Sequence, residues 1–436
     1  MPRFTRTNSH WKLFGAVNLS LEHAAWNPRC WRVFSFALVL IPALASGQSF
    51  TQQGFFETTF TVYPQTAPGD SGQAISASEA QWEPAVKWGE WHFNALFGAD
   101  FDSHRMAERK FAVSYWDRSV LRPAFDIQRL SVSWAHGPVT VELGKQLVRW
   151  GKTDILIPTD RFAPRDYLNV IDPEYLAVTA ARVTIANQTD SLDLVYTPRM
   201  TPSRIPLLDQ RWVITPQQAQ GIALIDGGAR YPGGGQYGAR WNHLGRYLEY
   251  SFSYFRGYNN LPLLQADFVP ALGAIDVSRY YVHLQSVGAD TAIPLSWITL
   301  KAESEYFGSD TPQADKYVLY VVQAERQWHE WLFIGGYTGE YDTEVHNMLG
   351  FDPERGLAKA VVGRASWTID TRRSLAVEAV ERQDGSGFYG KFEYSQMLGQ
   401  HWRVTGQLGV IRGSDNDFLG QYHRNSFGNL IFRYSF

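Results

Sequence analysis

The side chains with the most chemistry to offer crowd into one segment, residues 144–174. It carries Lys145, Arg149, Lys152, Asp154, Asp160, Arg161, Arg165, Asp166, Asp172 and Glu174. Charges of both signs at such short spacing suit electrostatic discrimination among small solutes, since opposed charges act on any ion held between them. A second set, Lys301, Glu303 and Glu305, recurs at every other position beside Leu300 and Ala302. Catalysis has weaker footing. A nucleophile needs a base within reach and a group that orients the base, and no His-x-Ser-Asn-Gly motif occurs. The nine histidines from His92 onward are scattered, with no pair at metal-ligand spacing. The acidic stretches Asp310–Asp315 and Glu340–Glu344 do not follow EF-hand spacing, so solvated loops are the simpler account of them. The expectation is therefore neither an enzyme nor a protein with a resident cofactor or metal.

Such residues need a scaffold, and the composition narrows it. The chain has 436 residues with 16 Trp, 22 Tyr and 26 Phe, yet its mean hydropathy is slightly polar. After the first fifty positions no apolar run of about 18 residues or more occurs, which excludes transmembrane helices. The dominant period is two. Trp91, Phe93, Ala95, Phe97, Ala99 and Phe101 alternate with His92, Asn94, Leu96, Gly98 and Asp100. The same alternation runs through Leu248, Tyr250, Phe252 and Tyr254, and through Trp402, Val404, Gly406, Leu408 and Val410. Successive side chains of a strand point to opposite faces. In a soluble sandwich the apolar face is the core, whereas in a lipid-embedded barrel it meets hydrocarbon and the polar face lines the lumen.

The spacing of the turns separates those two readings. Short connections are expected near Gly89, His136-Gly137-Pro138, Asn187–Asp190, His243–Arg246, Gly288–Pro294, Arg326–Glu330, Asp370–Arg373 and Leu398–His401. Longer ones fall near 63–80, 102–125, 151–176, 197–235, 257–276, 307–316, 340–356, 383–387 and 412–426. Short and long alternate along nearly the whole chain, as tight turns at one rim of a membrane barrel and longer loops at the other would require. Eight short and nine long connections give an all-β fold: a single transmembrane antiparallel β-barrel of 18 strands, with 16 the other count the boundaries allow. An even count puts both ends of the barrel at the rim of the short turns. Aromatics near strand ends, including Tyr63, Trp82, Trp91, Trp134, Trp328, Trp331, Trp367 and Trp402, read as girdles at the two membrane interfaces.

The two ends of the sequence agree with export to an outer membrane. Arg29 and Arg32 precede an apolar run from Val33 to Leu44, and Ala43-Leu44-Ala45 supplies small residues for cleavage after Ala45, with Gly47 offering a second cut. That is the pattern of a secretory signal peptide. The single cysteine, Cys30, lies before the apolar run, which argues against a lipid anchor. The expected division is a removable segment 1–45 and a barrel 46–436. With five basic residues and one acidic residue in segment 1–45, the remainder holds 35 basic and 42 acidic residues, a balance of −7. Mild acidity of this kind disfavours nucleic acid as a partner. At the other end, Leu430, Phe432, Tyr434 and Phe436 share one strand face. This ending resembles the closing strand of bacterial outer-membrane proteins, and the resemblance implies recognition of Phe432, Tyr434 and Phe436 by the barrel-assembly machinery.

The charged segment sits awkwardly on the strand before it. Val139, Val141 and Leu143 face one way, and unbroken parity would turn Lys145 and Arg149 into lipid, at roughly 2–4 kcal/mol each near the bilayer midplane. A β-bulge between Leu143 and Gln146, at Gly144, would restore Lys145 and Arg149 to the lumen and send Val148 and Trp150 to lipid. The run Gly144-x-Gln146-x-x-Arg149-Trp150-Gly151-x-x-Asp154, followed by Pro164-Arg165-Asp166, resembles a segment of porin-like outer-membrane families of Gram-negative bacteria, alginate-export-like ones among them. The match spans about 25 residues. It implies a third external loop that folds inward and narrows a channel, with Lys145, Arg149, Asp154, Asp160, Arg161, Arg165 and Asp166 at the constriction. A charged loop held by its own salt bridges outside the lumen is the competing account. Lys301, Glu303 and Glu305 are expected on the lumen wall.

A barrel of 18 strands holds a lumen wide enough for solutes unless loops plug it. The expected function is passive passage of small hydrophilic solutes across a bacterial outer membrane, among outer-membrane lipid and lipopolysaccharide. A polysaccharide-export or substrate-specific channel stands as an alternative, as does an adhesin or structural barrel with no open pore. Homo-oligomerisation stays open. Strand alternation beginning by Phe50 leaves no room for the plug of an energised transporter.

Overall fold

The computed structural model describes residues 48–436 apart from 105, 109–116, 215–220, 347 and 384. The export-signal reading of residues 1–45, Cys30 included, lies outside the described residues. Eighteen antiparallel strands form the wall. They are β1 (Gln48–Val62), β2 (Ala74–Trp88), β3 (Trp91–Asp102), β4 (Phe125–His136), β5 (Val139–Gln146) and β6 (Val178–Ala186). Next come β7 (Asp190–Thr197), β8 (Gln236–Leu244), β9 (Glu249–Tyr258), β10 (His283–Pro294), β11 (Thr299–Gly308) and β12 (Lys316–Trp328). The last six are β13 (Trp331–Glu344), β14 (Ala360–Thr368), β15 (Arg373–Arg382), β16 (Gly387–Leu398), β17 (Trp402–Gly413) and β18 (Phe427–Ser435). Each strand pairs with its neighbour in sequence, and β18 returns to β1 with Phe55 opposite Ser435 and Val62 opposite Gly428. Closure leaves no sheet edge, which is the condition for a sheet to span a bilayer.

The expected rhythm of short turns and long loops holds, with one correction. The turn expected at Gly288–Pro294 lies just beyond it, at 295–298, and β10 runs unbroken through Gly288 to Pro294. Glycine stands at 288 for a reason other than turning: a Cβ there would meet Thr159 at 2.7 Å and Ser253 at 2.7 Å. By contrast Gly89 and Gly137 do make turns, at φ +59° and +56°, a region glycine enters at little steric cost.

The two faces divide as the alternation demands. Phe56, Phe93, Leu130, Leu143, Phe252, Leu300, Val322, Phe392 and Leu408 are exposed on the outside, while Thr59, Ser251, Ser253, Glu303, Glu305, Thr405 and Gln407 are buried within. Of the expected girdle, Trp82, Trp91, Trp328 and Trp402 are exposed, and Trp331 stacks on Trp367 with ring centroids 5.2 Å apart. Tyr63 is a correction. It is buried, with the Arg211 guanidinium 3.9 Å from its ring centroid, because an external loop reaches in and covers it.

Several long loops fold over or into the barrel. Strand segments Ala223–Arg230, Leu263–Val269, Ala274–Tyr280 and Leu349–Gly350 make a small second sheet. The lumen is also less polar than alternation alone implies. Phe255, Phe307, Leu319, Val321 and Ile334 point inward from the wall and pack in one buried cluster with Val148, Trp150, Ile155, Leu156 and Phe162 of the third loop.

Candidate functional site

The third loop begins where β5 changes its parity. Leu143 is half exposed to the outside, yet Lys145 is buried inside, with Nζ 3.5 Å from Asp126 Oδ1 on β4. No extra residue is inserted. The ladder to β4 runs Leu143, Gly144, Lys145 against Val132, Ser131, Leu130, and the ladder to β6 is equally regular. Gly144 makes the change through its backbone, at φ +122°, where L side chains are rarely found. A Cβ there would also meet Leu130 O at 2.3 Å. The expected bulge is therefore replaced by a glycine twist with the same result for Lys145. Val148 and Trp150 correct the expectation further: both are buried in the lumen, since the chain leaves the wall after Gln146 and turns inward.

From there the loop runs inside the barrel to β11 and β12. Its tip is tied to Glu303 on β11, whose carboxylate accepts from Lys152 N at 3.0 Å, Thr153 N at 3.2 Å, Thr153 Oγ1 at 2.8 Å, Thr159 N at 2.9 Å and Thr159 Oγ1 at 2.8 Å. Asp154 accepts from Lys301 Nζ at 2.7 Å and from Gln323 Nε2 at 2.6 Å, and its own N–H donates to Gln323 Oε1 at 2.9 Å. Wall glycines make room for this docking. A Cβ on Gly238 would collide with Phe162 and Trp150, and one on Gly336 with Ile155. Strand β11 stands six places from β5 in the ring of eighteen and β13 eight, so the segment reaches from β5 well round the inside of the barrel.

Other charged residues fasten the return path. Asp160 is buried and accepts from Trp150 N at 2.6 Å, Gly151 N at 2.9 Å and Arg149 Nε at 3.2 Å. Trp150 Nε1 donates to Asp193 on β7 at 2.8 Å. Arg161 donates to Pro158 O at 2.6 Å and to Glu354 at 2.9 Å, with Glu305 3.9 Å away. Asp166 accepts from Arg122 at 2.9 Å and Arg204 at 2.8 Å, and Arg204 reaches on to Asp117 at 2.6 Å. Burial alone would raise the Asp166 carboxyl, but the two guanidinium groups outweigh it and hold the group well below the usual carboxylate range. Arg149 and Arg165 lie over the ring of Tyr175, at 4.1 and 4.8 Å from its centroid.

Two small cavities lie on the other side of the docked loop, beside β1–β4. One, of about 90 Å³, is lined by Glu57, Glu79, Asp100, Asp102, Asp172 and Glu174 against Arg122 and Lys391. A second, of about 70 Å³, shares Asp100, Arg122 and Glu174 and adds Lys145 and Arg204. The structure thus brings Arg149, Asp154, Asp160, Arg161, Arg165 and Asp166 onto one inward-folded loop, with Lys145 at the end of β5 and Lys301, Glu303 and Glu305 on the wall the loop meets. Most of them are joined in pairs rather than facing each other across a gap. Sequence reasoning missed Asp100, Arg122, Arg204, Gln323 and Glu354, which lie far from the segment and carry no motif. The acidic stretches set aside above have a use as well: Asp315, Glu340 and Asp342 converge on the guanidinium of Arg355.

No known protein-family profile and no curated protein matches the sequence. Solved structures do match its fold. The BenF-like porin from Pseudomonas fluorescens Pf-5 superposes with a TM-score of 0.52 over 89% of this chain and 98% of that one, at 9% identity. OccAB4 of Acinetobacter baumannii gives 0.55 over 89% and 98%, at 8% identity. OccAB3 of the same organism gives 0.52 over 89% and 99%, at 9% identity. Identities this low speak to architecture alone, and the closed ring of eighteen strands is that architecture: the chain has the barrel fold of the porins.

Proposed function

We propose that the protein is a narrow channel of the bacterial outer membrane that passes small hydrophilic solutes and favours cationic ones. The observation that carries this reading is the third loop folded inside the barrel and anchored on Glu303, with small charged cavities between it and β1–β4. In the wider of these, six carboxylates face two basic residues, and charges lining a pore set its ion preference. Within this reading Lys145 and Asp166 border the passage, and Arg149 and Arg165 stand behind it on the ring of Tyr175. Asp154, Asp160, Arg161, Glu303 and Glu305 hold the loop that creates it. The apolar outer face and its aromatic ends support insertion among outer-membrane lipid and lipopolysaccharide. Residues 1–45 act as the export signal, and the strand ending in Phe436 is what the barrel-assembly machinery engages. The porin neighbours favour a channel over an enzyme.

The test is single-channel recording of the protein purified from outer membranes and inserted into a planar bilayer. Small ohmic steps are expected, with a reversal potential in a KCl gradient that favours K⁺. Asp100→Asn combined with Glu174→Gln should move that potential toward Cl⁻. Silence from correctly folded protein, or an anion preference in the unaltered protein, would overturn the reading and leave an adhesin or structural barrel.

A further inference from the structure

Outside the constriction, the external loops enclose a second and much larger space, a cavity of about 860 Å³. That lies within the range of small-molecule sites, which are mostly apolar with a few convergent polar groups. Five loops contribute to it. Ile205 and Trp212 come from the loop after β7, Leu264 and Ile275 from the loop after β9, and Ala314, Phe351 and Tyr422 from the three loops after β11, β13 and β17. The charged segment contributes nothing to its lining, and of the residues beside the smaller cavities near β1–β4 it shares Trp212.

The polar groups of this cavity divide into two kinds. The charged ones are occupied with one another. Arg355 is bound by Asp315 at 2.5 Å and Asp342 at 2.9 Å, and also by Glu340. Arg279 is bound by Asp226 at 2.6 Å. Asp352 caps the short helix Pro353–Gly356, accepting from Glu354 N and Arg355 N. An ionic ligand would have to displace one of these partners, and the largely buried Arg279 guanidinium and Glu340 carboxylate would each be costly to leave unpaired. The other kind is uncharged: Asn259, Ser309, Gln313, Gln421, the indole N–H of Trp212 and the hydroxyl of Tyr422. Tyr422 is only 2% exposed, its ring is packed against Trp212 and Phe418, and its OH has no hydrogen-bond partner among the described residues. A buried hydroxyl without a partner carries a desolvation penalty that an incoming oxygen would remove.

We infer that this external cavity is a binding site for a neutral, largely apolar small molecule that carries a hydrogen-bonding oxygen for Tyr422. Its size, its apolar lining and its mutually satisfied charges all select against ionic solutes, so its preference differs from that of the acidic passage below. The inference concerns binding alone and stands whether or not the barrel conducts.

The experiment uses protein purified from outer membranes, placed in lipid nanodiscs and titrated calorimetrically with 1-naphthol, with empty nanodiscs as the blank for partitioning. Saturable one-to-one binding is expected, and 1-naphthoate and 1-naphthylmethylammonium should bind about tenfold more weakly or less, as a preformed apolar site requires. Ala266→Trp, on an exposed strand facing the cavity, fills the space and should abolish binding. Val277→Phe fills it from the neighbouring strand should the first variant fail to fold. Tyr422→Phe keeps the ring and removes the hydroxyl, and should weaken binding by about three- to tenfold, the worth of one hydrogen bond. Binding that is non-saturable, unchanged by the filling variants, or equal for the charged analogues would overturn the inference.

Discussion

A single carboxylate on the wall gathers the tip of the loop that narrows this lumen. Glu303 points inward from β11 at a position the strand parity dictates, and it collects five hydrogen bonds from Lys152, Thr153 and Thr159. Bonds to a charged acceptor are among the stronger ones, and their loss strands buried main-chain donors. Glu303→Ala should therefore weaken loop docking by about 3 kcal/mol or more. The expected readouts are larger, noisier conductance steps and faster tryptic cleavage after Lys152 and Arg161, with the barrel itself still resistant to heat in gel electrophoresis. Unchanged conductance and unchanged cleavage would show that the loop is held elsewhere. Gly144 acts at the same scale, since a backbone conformation open to glycine redirects Lys145 without disturbing the ladders on either side.

At the scale of elements, the third loop behaves as an internal strut with two attachments of different chemistry. Its tip is held chiefly by main-chain and hydroxyl donors on Glu303, with Asp154 paired to Lys301, and its return is an ion-pair knot of Asp166 with Arg122 and Arg204. Asp166 is lowered from its ordinary value of 3.8, and a group depressed in the folded state contributes stability that is present above the ordinary value and lost as pH falls through the folded one. The return of the loop should thus stay docked down to about pH 4 and loosen only in strongly acid solution. Conductance noise measured against pH checks this: a flat record from neutral to about pH 4, with a rise below about pH 3, is the expected form. Asp166→Asn should show the acid behaviour at neutral pH. A transition in the range of ordinary carboxylates would mean that the knot does not govern the loop.

At the scale of the whole molecule, everything depends on the seam where β18 meets β1. Phe436 N and O pair with Gly54, and the Phe436 ring lies 6.2 Å from Phe56 and 6.4 Å from Tyr434. Gly54 leaves the space that ring occupies, since a Cβ there would meet Phe436 Cζ at 2.5 Å. Phe436→Ala should cost about 1–3 kcal/mol in ring contacts. It should also lower the temperature at which the purified protein loses its compact mobility in gel electrophoresis, and reduce the share assembled in outer membranes. A mobility transition and an assembled share matching the unaltered protein would show that closure rests on the backbone ladder alone.

Much of this architecture was legible in the order of residues, and the reason is physical. Every strand of a membrane barrel must present an apolar side chain to lipid at alternate positions, so Trp91 to Phe101, Leu248 to Tyr254 and Trp402 to Val410 reveal their faces without reference to any partner. The rhythm of turns likewise records a local property, the distance between the two rims, and yields the strand count. The wall residues Lys301, Glu303 and Glu305 follow from parity by the same argument. What the loops do inside the barrel does not follow. Thr159 meets Glu303 from 144 positions away and Asp154 meets Gln323 from 169, and no periodicity spans such distances. Gly144 and Gly288 look alike in sequence, yet one twists a strand and the other makes room for a loop. Only the tertiary structure decides that Val148 and Trp150 pack in the lumen rather than against lipid. It alone ties Tyr63 beneath Arg211 and gathers five loops around Tyr422, because each of these depends on which distant surface closes over the residue.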